Sequence, residues 1–163
     1  MSSTHNIVSA FSLLAGLCLA IGAQAAGQHA GGHGGSPIGE PGTADKVTRT
    51  VQVEASDKMR FTPSSIPVRQ GETLRIKVKN VGQLKHEFSL GTEKELKEHY
   101  EVMKKFPDMV HDEPSKVSLQ PGEEGEVIWR FSKAGTVNFA CLHPGHYDAG
   151  MKGKIKVAMK RAS

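Results

Sequence analysis

The chain has 163 residues, a formal net charge of +4, 37% hydrophobic residues and 23% charged residues. This length allows one globular domain together with a targeting segment or tail, and it excludes two large domains. The hydrophobic content supports a folded core but is too low for a polytopic membrane protein. Basic and acidic residues interleave, as they do over 93–98, so no basic block points to a nucleic-acid partner.

The first 25 residues are typical of a secretory signal peptide, and they contain no Lys, Arg, Asp or Glu. An apolar stretch over 7–23 ends in small residues, and cleavage is predicted after Ala25, with Ala23 as the second small residue before the cut. An uncleaved anchor is the alternative, because the apolar stretch approaches the roughly 18 residues that a membrane span needs. The sequence therefore favours an exported protein.

Cysteine usage singles out one residue of the exported chain. The sequence has 2 cysteines, and signal cleavage removes Cys18. Cys141 then has no partner for an intramolecular disulfide. A lone thiol in an oxidising compartment is open to oxidation unless it is buried or bound to a metal. Cys141 therefore needs a specific role.

The rest of the chain divides at about residue 46. Residues 26–45 are rich in Gly, Ala, Pro and Ser and include His29 and His33, a composition that predicts a disordered tail. From residue 46 onward, apolar and polar residues alternate in short stretches, which is typical of strands with one buried face. These stretches are 47–53, 74–79, 127–131, 137–141 and 155–157. Turn signals separate them, so we predict an all-β sandwich over 46–163.

One segment departs from the alternation and predicts a helix inserted between strands. Its apolar residues recur at helical spacing: Leu96, Tyr100 and Met103. Thr92 and Glu95 form a candidate capping box at its start, and Pro107 is a stop signal at its end. The helix is expected over 92–106.

The stretch 141–151 brings different metal ligands close together in sequence. Cys141 offers a thiolate, His146 an imidazole and Met151 a thioether. Thiolate and thioether favour Cu(I), imidazole accepts both copper oxidation states, and a His₂Cys set with a weak axial Met is the electron-transfer copper arrangement. A second His is required, and His86 is the best candidate because it follows a predicted strand whose end a sandwich can place beside the loop.

The spacing Cys141-x₄-His146-x₄-Met151, together with the upstream His86, resembles the cupredoxins, the small blue-copper family of plastocyanin, azurin and rusticyanin. The resemblance covers about residues 46–160. It implies a Greek-key cupredoxin β-sandwich with one type 1 copper, bound by residues that match these four. The inserted helix and the Gly/His-rich tail are similar to those of periplasmic cupredoxins associated with copper tolerance.

Two residues depart from the pattern of several relatives. Glu87 stands where those relatives have Asn after the first His ligand, and His143 adds an imidazole inside the loop. The sequence leaves open whether a further set of His and Met side chains forms a weaker auxiliary copper site or is merely solvated. That set comprises His29, His33, Met109, His111 and His143.

Enzyme chemistry has little support in the sequence. A nucleophilic Cys–His enzyme is the competing interpretation of Cys141, but no oxyanion donors or helix N-terminus are predicted beside it. A multicopper oxidase would need His-x-His pairs, and the sequence has none. We therefore predict a metal-binding protein and no enzyme.

Two roles fit the same copper ligands. The first is copper tolerance, in which the protein binds, sequesters or oxidises periplasmic copper. The alternative is a soluble electron carrier between redox partners. The extra His and Met residues favour tolerance, because a carrier does not need them. We expect a monomer whose partners are copper ions and a redox or copper-transfer protein.

Overall fold

Two five-stranded sheets face each other in a β-sandwich. The computed structural model describes residues 36–107, 109 and 113–160, all within one compact unit of the chain, 32–163. The strands are β1 (Glu40–Pro41), β2 (Arg49–Ser56), β3 (Arg60–Thr62), β4 (Ser65–Arg69), β5 (Thr73–Asn80), β6 (His86–Gly91), β7 (Lys116–Leu119), β8 (Glu124–Arg130), β9 (Gly135–Ala140) and β10 (Lys152–Ala158). A 3₁₀ turn covers Ala44–Lys46, and one α-helix, α1, covers Glu93–Lys105.

The first sheet has the order β1-β8-β5-β2-β3, and the second has the order β4-β10-β9-β6-β7. Strand β2 runs parallel to β5, and β10 runs parallel to β4. The remaining neighbours are antiparallel. This two-sheet architecture with a single described helix confirms the predicted fold class.

The predicted alternation is confirmed where it was clearest. In β5, Leu74, Ile76 and Val78 are buried, while the lysines between and after them are exposed. Aromatic side chains occupy the core, and the rings of Phe88 on β6 and Phe139 on the neighbouring β9 stack with centroids 4.9 Å apart. Each buried side chain of this size contributes roughly 1.5–3 kcal/mol, so the facing sheets form a rigid scaffold.

Strands β1, β3, β4, β6 and β7 fall where no alternating stretch was predicted, and β4 and β7 show why. Strand β4 contains Pro67 and lies at an edge of its sheet, where a residue without an N–H is tolerated. Strand β7 has 4 residues, which is too short for a period of two to be evident. Both therefore depend on pairing with distant strands.

The ordered domain begins before residue 46. Ile38 is buried, and its carbonyl oxygen accepts a hydrogen bond of 2.7 Å from the indole Nε1 of Trp129. Glu40–Pro41 pairs with β8. The prediction of disorder is thus wrong for residues 36–45, because this segment satisfies a buried indole. The predicted signal peptide, the rest of the tail and both of its histidines lie outside the described residues.

Helix α1 confirms the predicted helix and its capping box. The Thr92 side chain accepts a hydrogen bond of 3.2 Å from the Glu95 amide, and the Glu95 carboxylate accepts one of 2.8 Å from the Thr92 amide. Phe106 is the C-cap, and Pro107 follows it. Among the described residues, no helix is long and apolar enough to cross a membrane.

The apolar face of α1 covers part of the outer face of the second sheet, against β6 and β9. A second, smaller core forms there from Leu96, Tyr100, Met103, Ala140, Leu142 and Tyr147. The approach is close at Gly91, since a Cβ there would lie 2.9 Å from the Leu96 Cγ. The helix is therefore part of the domain core.

Tyr100 joins α1 to the loop that follows β9. Its hydroxyl donates a hydrogen bond of 2.7 Å to Asp148 Oδ2 and accepts one of 2.9 Å from the Gly145 amide. Its ring also stacks on Tyr147, with centroids 4.8 Å apart. Burial and the bond to Asp148 raise the pKa of Tyr100, so its hydroxyl stays protonated and keeps donating at neutral pH.

We predict that Tyr100→Phe lowers the free energy of unfolding by about 1 kcal/mol, because two hydrogen bonds to the loop are lost while the ring stack remains. Urea unfolding followed by circular dichroism measures the change. Tyr147→Phe is the matched control, since the Tyr147 hydroxyl makes no hydrogen bond among the described residues. Equal losses in both variants would contradict this role for the Tyr100 hydroxyl.

Candidate metal centre

Three of the predicted ligands meet at one end of the sandwich. His86 is the first residue of β6, and Cys141 directly follows the last residue of β9. These two strands are antiparallel, with Ser89 opposite Ala140, so the start of one lies beside the end of the other. His146 lies on the loop that leaves β9. The ligand atoms of the two histidines and the cysteine all lie within 4.8 Å of one another.

Two of these donors are buried, and the third is partly open to solvent. Cys141 and His86 have 0% exposure, whereas His146 is half-buried. The Cys141 Sγ lies 3.4 Å from the His146 Nδ1, and the two histidine rings have centroids 5.1 Å apart. A metal held here would have a protected sulfur ligand and one histidine accessible from outside.

Asp57 fixes the orientation of the His86 ring. Its Oδ1 lies 3.0 Å from the His86 Nε2. A neutral imidazole that donates from Nε2 has its lone pair on Nδ1. The His86 Nδ1 is buried and has no hydrogen-bond partner among the described residues. A carboxylate behind a histidine is the usual second partner of a metal ligand, so this arrangement fits a metal on Nδ1.

Asp57 also holds the segment that leads into His86. Its carboxylate accepts hydrogen bonds of 2.7 Å from the Gln83 amide and 3.2 Å from the Leu84 amide. The Gln83 amide, with a smaller contribution from the His86 ring, keeps the pKa of Asp57 below its usual value. A Cβ at Gly82 would lie 1.9 Å from the Asp57 Oδ1, so the turn needs glycine there. No local motif marks Asp57 in the sequence.

The Cys141 sulfur is held in a dry environment. The Glu87 amide donates a hydrogen bond of 3.3 Å to its Sγ, and the Cys141 amide donates one of 3.0 Å to the Met151 carbonyl. Burial raises the pKa of the Cys141 thiol to about 12. Since the thiolate is the metal ligand, a metal that binds here at neutral pH displaces a proton from sulfur.

Backbone hydrogen bonds stabilise the loop between β9 and β10. The His146 amide donates to the His143 carbonyl and the Met151 amide to the His146 carbonyl, each at 3.0 Å. Gly145 has a φ of +85°, which glycine adopts without strain. Met151 is fully buried, and its backbone bonds to both loop ligands. Its thioether as fourth ligand stays a prediction.

The two residues that depart from the usual pattern occupy distinct environments. Glu87 is buried. Its carboxylate accepts a hydrogen bond from the Ser89 hydroxyl and a second one, of 3.5 Å, from the Ser118 hydroxyl. His143 has its ring centroid 5.7 Å from that of His146. Burial, helped by the nearby positive charge of Lys85, lowers the pKa of His143 to about 4, so its ring is neutral at pH 7.

Of the candidate auxiliary copper ligands, only His143 and Met109 belong to the part of the chain that the structure describes. His143 is outside the group formed by the three main donors. Met109 is 42% exposed, and His29, His33 and His111 lie outside the described residues. The auxiliary site therefore stays a prediction.

The donor set fits copper better than a hard cation. A thiolate and two imidazoles are the ligands that copper and other soft or borderline metals select, whereas Mg²⁺ and Ca²⁺ prefer oxygen donors. The Nδ1 of His86, to which no described residue is hydrogen-bonded, gives the metal a place to bind. Asp57 stands behind that histidine and not within the donor group.

Comparison with solved structures supports the cupredoxin fold. The chain is similar to the dithionite-reduced auracyanin of Roseiflexus castenholzii, with a TM-score of 0.60, 23% sequence identity, and coverage of 69% of this chain and 98% of that one. At this identity the likeness concerns the fold alone. It agrees with the two-sheet architecture described above.

Sequence comparison is more specific. The family described as copper binding proteins, plastocyanin/azurin family, matches residues 47–158. The copper-resistant cuproprotein CopI of Rubrivivax gelatinosus is 50% identical over 132 residues, 79% of this chain and 80% of the relative. CopI of Pseudomonas aeruginosa is 32% identical, covering 94% of this chain and 97% of the relative. The chain thus belongs to the plastocyanin/azurin family of copper-binding proteins, as a cupredoxin related to copper-resistance proteins.

Proposed function

We propose that this protein is a periplasmic type 1 copper protein that serves copper tolerance by binding, sequestering or oxidising copper. The observation that carries the proposal is the buried Nδ1 of His86, which has no hydrogen-bond partner in the part of the chain that the structure describes and lies in one group with the donor atoms of Cys141 and His146. The role in tolerance is supported by the similarity to two copper-resistant cuproproteins.

The residues that would hold the copper are His86, Cys141 and His146, with Met151 as a weak fourth ligand. Bound there, copper supplies a one-electron couple between Cu(II) and Cu(I). The protein itself holds the ligands in position before copper binds. His86 and Cys141 are anchored on neighbouring strands of one sheet, and ligands on rigid elements keep their geometry when the charge of a site changes.

The exposure of the ligands suits exchange with the surroundings. The half-buried His146 offers the accessible route for copper or for an electron, because it lies on the loop and not on a strand. The buried Cys141 is shielded from solvent oxidants, which a lone thiol needs outside the cytoplasm. A periplasmic location is further supported by the signal-like sequence over 1–25.

A soluble electron carrier is the second candidate, because the rigid placement of His86 and Cys141 suits electron transfer equally well. In both roles the protein acts as a monomer with a redox or copper-transfer partner, and no enzymatic activity beyond one-electron exchange is proposed. The two roles differ in the phenotype that loss of the protein would cause.

Titration with Cu(II) is expected to produce an intense thiolate-to-copper absorption band that saturates at one equivalent. Cys141→Ser is expected to abolish the band, because a hydroxyl cannot replace the soft thiolate. Met151→Leu is expected to keep a coloured site with a shifted band. Visible absorption and EPR measure both outcomes. Full colour in the Cys141 variant would refute the ligand assignment.

Asp57→Asn is expected to raise the reduction potential by about 59 mV, a tenfold change in the relative affinity for Cu(II) and Cu(I). The reason is that the carboxylate behind the ligand stabilises the more highly charged ion. Asp148→Asn is the matched control, since it removes the same charge from the 141–151 loop without contacting a ligand. Redox titration followed by visible absorption measures the potentials. Equal shifts would exclude a specific effect through His86.

Deletion of the gene is expected to make the organism sensitive to added copper and to leave growth without added copper unchanged. Complementation with the natural sequence is expected to restore tolerance, and complementation with Cys141→Ser is expected to fail. Growth curves over a copper series provide the measurement. A growth defect without copper stress, with normal copper tolerance, would favour the electron carrier.

A further inference from the structure

A groove lies on the outer face of the second sheet, between α1 and β10. Its volume is ≈ 350 Å³. Lys152, Lys154 and Lys156 line one side of it, and Glu93 and Leu96 of α1 line the other. The groove exists because α1 packs on β6 and β9 and leaves β10 uncovered.

Among the described residues, the lysines of this groove have no acidic cross-strand neighbours of the kind that balance the cations of the other sheet. On the first sheet, Lys79 forms an ion pair of 3.1 Å with Glu124, and Lys77 lies opposite Glu126 in the register. On the second sheet the cross-strand neighbours of the lysines are uncharged: Ala140 for Lys152, Asn138 and Ser65 for Lys154, and Thr136 and Pro67 for Lys156. The second sheet thus presents an uncompensated row of positive charge.

Protection of a sheet edge against pairing does not explain this row of lysines. Lysines often guard a sheet edge against pairing with another chain. Strand β10, however, lies between β4 and β9 and is not an edge. Within the described ranges of the chain, Glu93 is the sole acidic residue that lines the groove, so the local charge stays positive. Such a charged concave surface attracts an anionic partner.

The spacing of the lysines indicates the shape of that partner. Alternate residues of a strand point to the same side and repeat at roughly 6.6–7 Å. An extended segment with carboxylates at alternate positions has the same repeat. We propose that the groove between α1 and β10 is a docking surface for an extended acidic segment of a partner protein.

The groove lies directly beside the metal loop. Lys152 follows Met151 in the chain, and its Nζ lies 3.7 Å from the centroid of the Tyr147 ring. Tyr147 lines the groove and follows His146. A segment docked on the lysines would therefore hold its parent protein next to the accessible histidine. This inference goes beyond the proposed function, since docking requires no particular role for the copper.

The test uses the Cu(I)-loaded protein and a fluorescein-labelled peptide of about seven residues in which Glu alternates with Thr, the repeat that matches a strand. Fluorescence anisotropy at low ionic strength measures binding. Lys154→Gln/Lys156→Gln is expected to weaken binding about fivefold, because each exposed ion pair contributes little. The matched control, Lys77→Gln/Lys79→Gln, removes the same charge from alternate positions of β5 and is expected to change binding less than about twofold.

Several outcomes would overturn the proposal. These are absence of peptide binding, equal losses in the two double variants, and equal affinity for a peptide of the same composition with its Glu residues contiguous. Binding to phosphatidylglycerol vesicles without binding to the peptide would assign the row to a membrane surface instead. The same titration on copper-free protein separates a failure of docking from a failure of copper binding.

Discussion

The antiparallel pairing of β6 with β9 is the constraint on which the metal centre depends. It places the first residue of one strand beside the end of the other, so His86 and Cys141 meet without any help from a loop. The register is fixed from inside, where Phe88 and Phe139 stack between the sheets. A slip of β6 by one residue would turn Phe88 outward and separate the ligands. The core packing that fixes the strand register therefore also fixes the positions of these two ligands.

Two side chains, Asp57 and Tyr100, act as hydrogen-bonding clamps that complete the positioning of the metal ligands by the strands. Asp57, in the turn after β2, holds both the His86 ring and the segment before it. Tyr100, on the inserted helix, holds the loop that carries His146. Each clamp reaches across the fold from an element that supplies no metal ligand. The inserted helix thus helps to hold the loop of the metal centre in place. Its uncovered flank also forms one side of the lysine groove.

The sequence predicted those features that local patterns determine. Alternating apolar residues predicted the central strands, and the spacing of Cys141, His146 and Met151 predicted the loop. The contacts of Asp57 with His86 and of Tyr100 with the loop could not be predicted, since the partners lie 29 and 45 positions away in the chain. The order of residues 36–45 was missed for a similar reason. Their composition is that of a loop, and it is pairing with β8 and the hydrogen bond from the buried indole of Trp129 that give them a place on the domain.

The metal centre also lowers the stability of the folded protein when no metal is bound. A buried nitrogen without a hydrogen-bond partner costs roughly 1–3 kcal/mol, and within residues 36–107, 109 and 113–160 the His86 Nδ1 is such a nitrogen. A buried thiol with its pKa raised to about 12 resists becoming the thiolate that a metal requires. A metal bond offsets both costs, which couples metal binding to stability. The aromatic core between the sheets is what allows the ligands to be held in place before that bond is made.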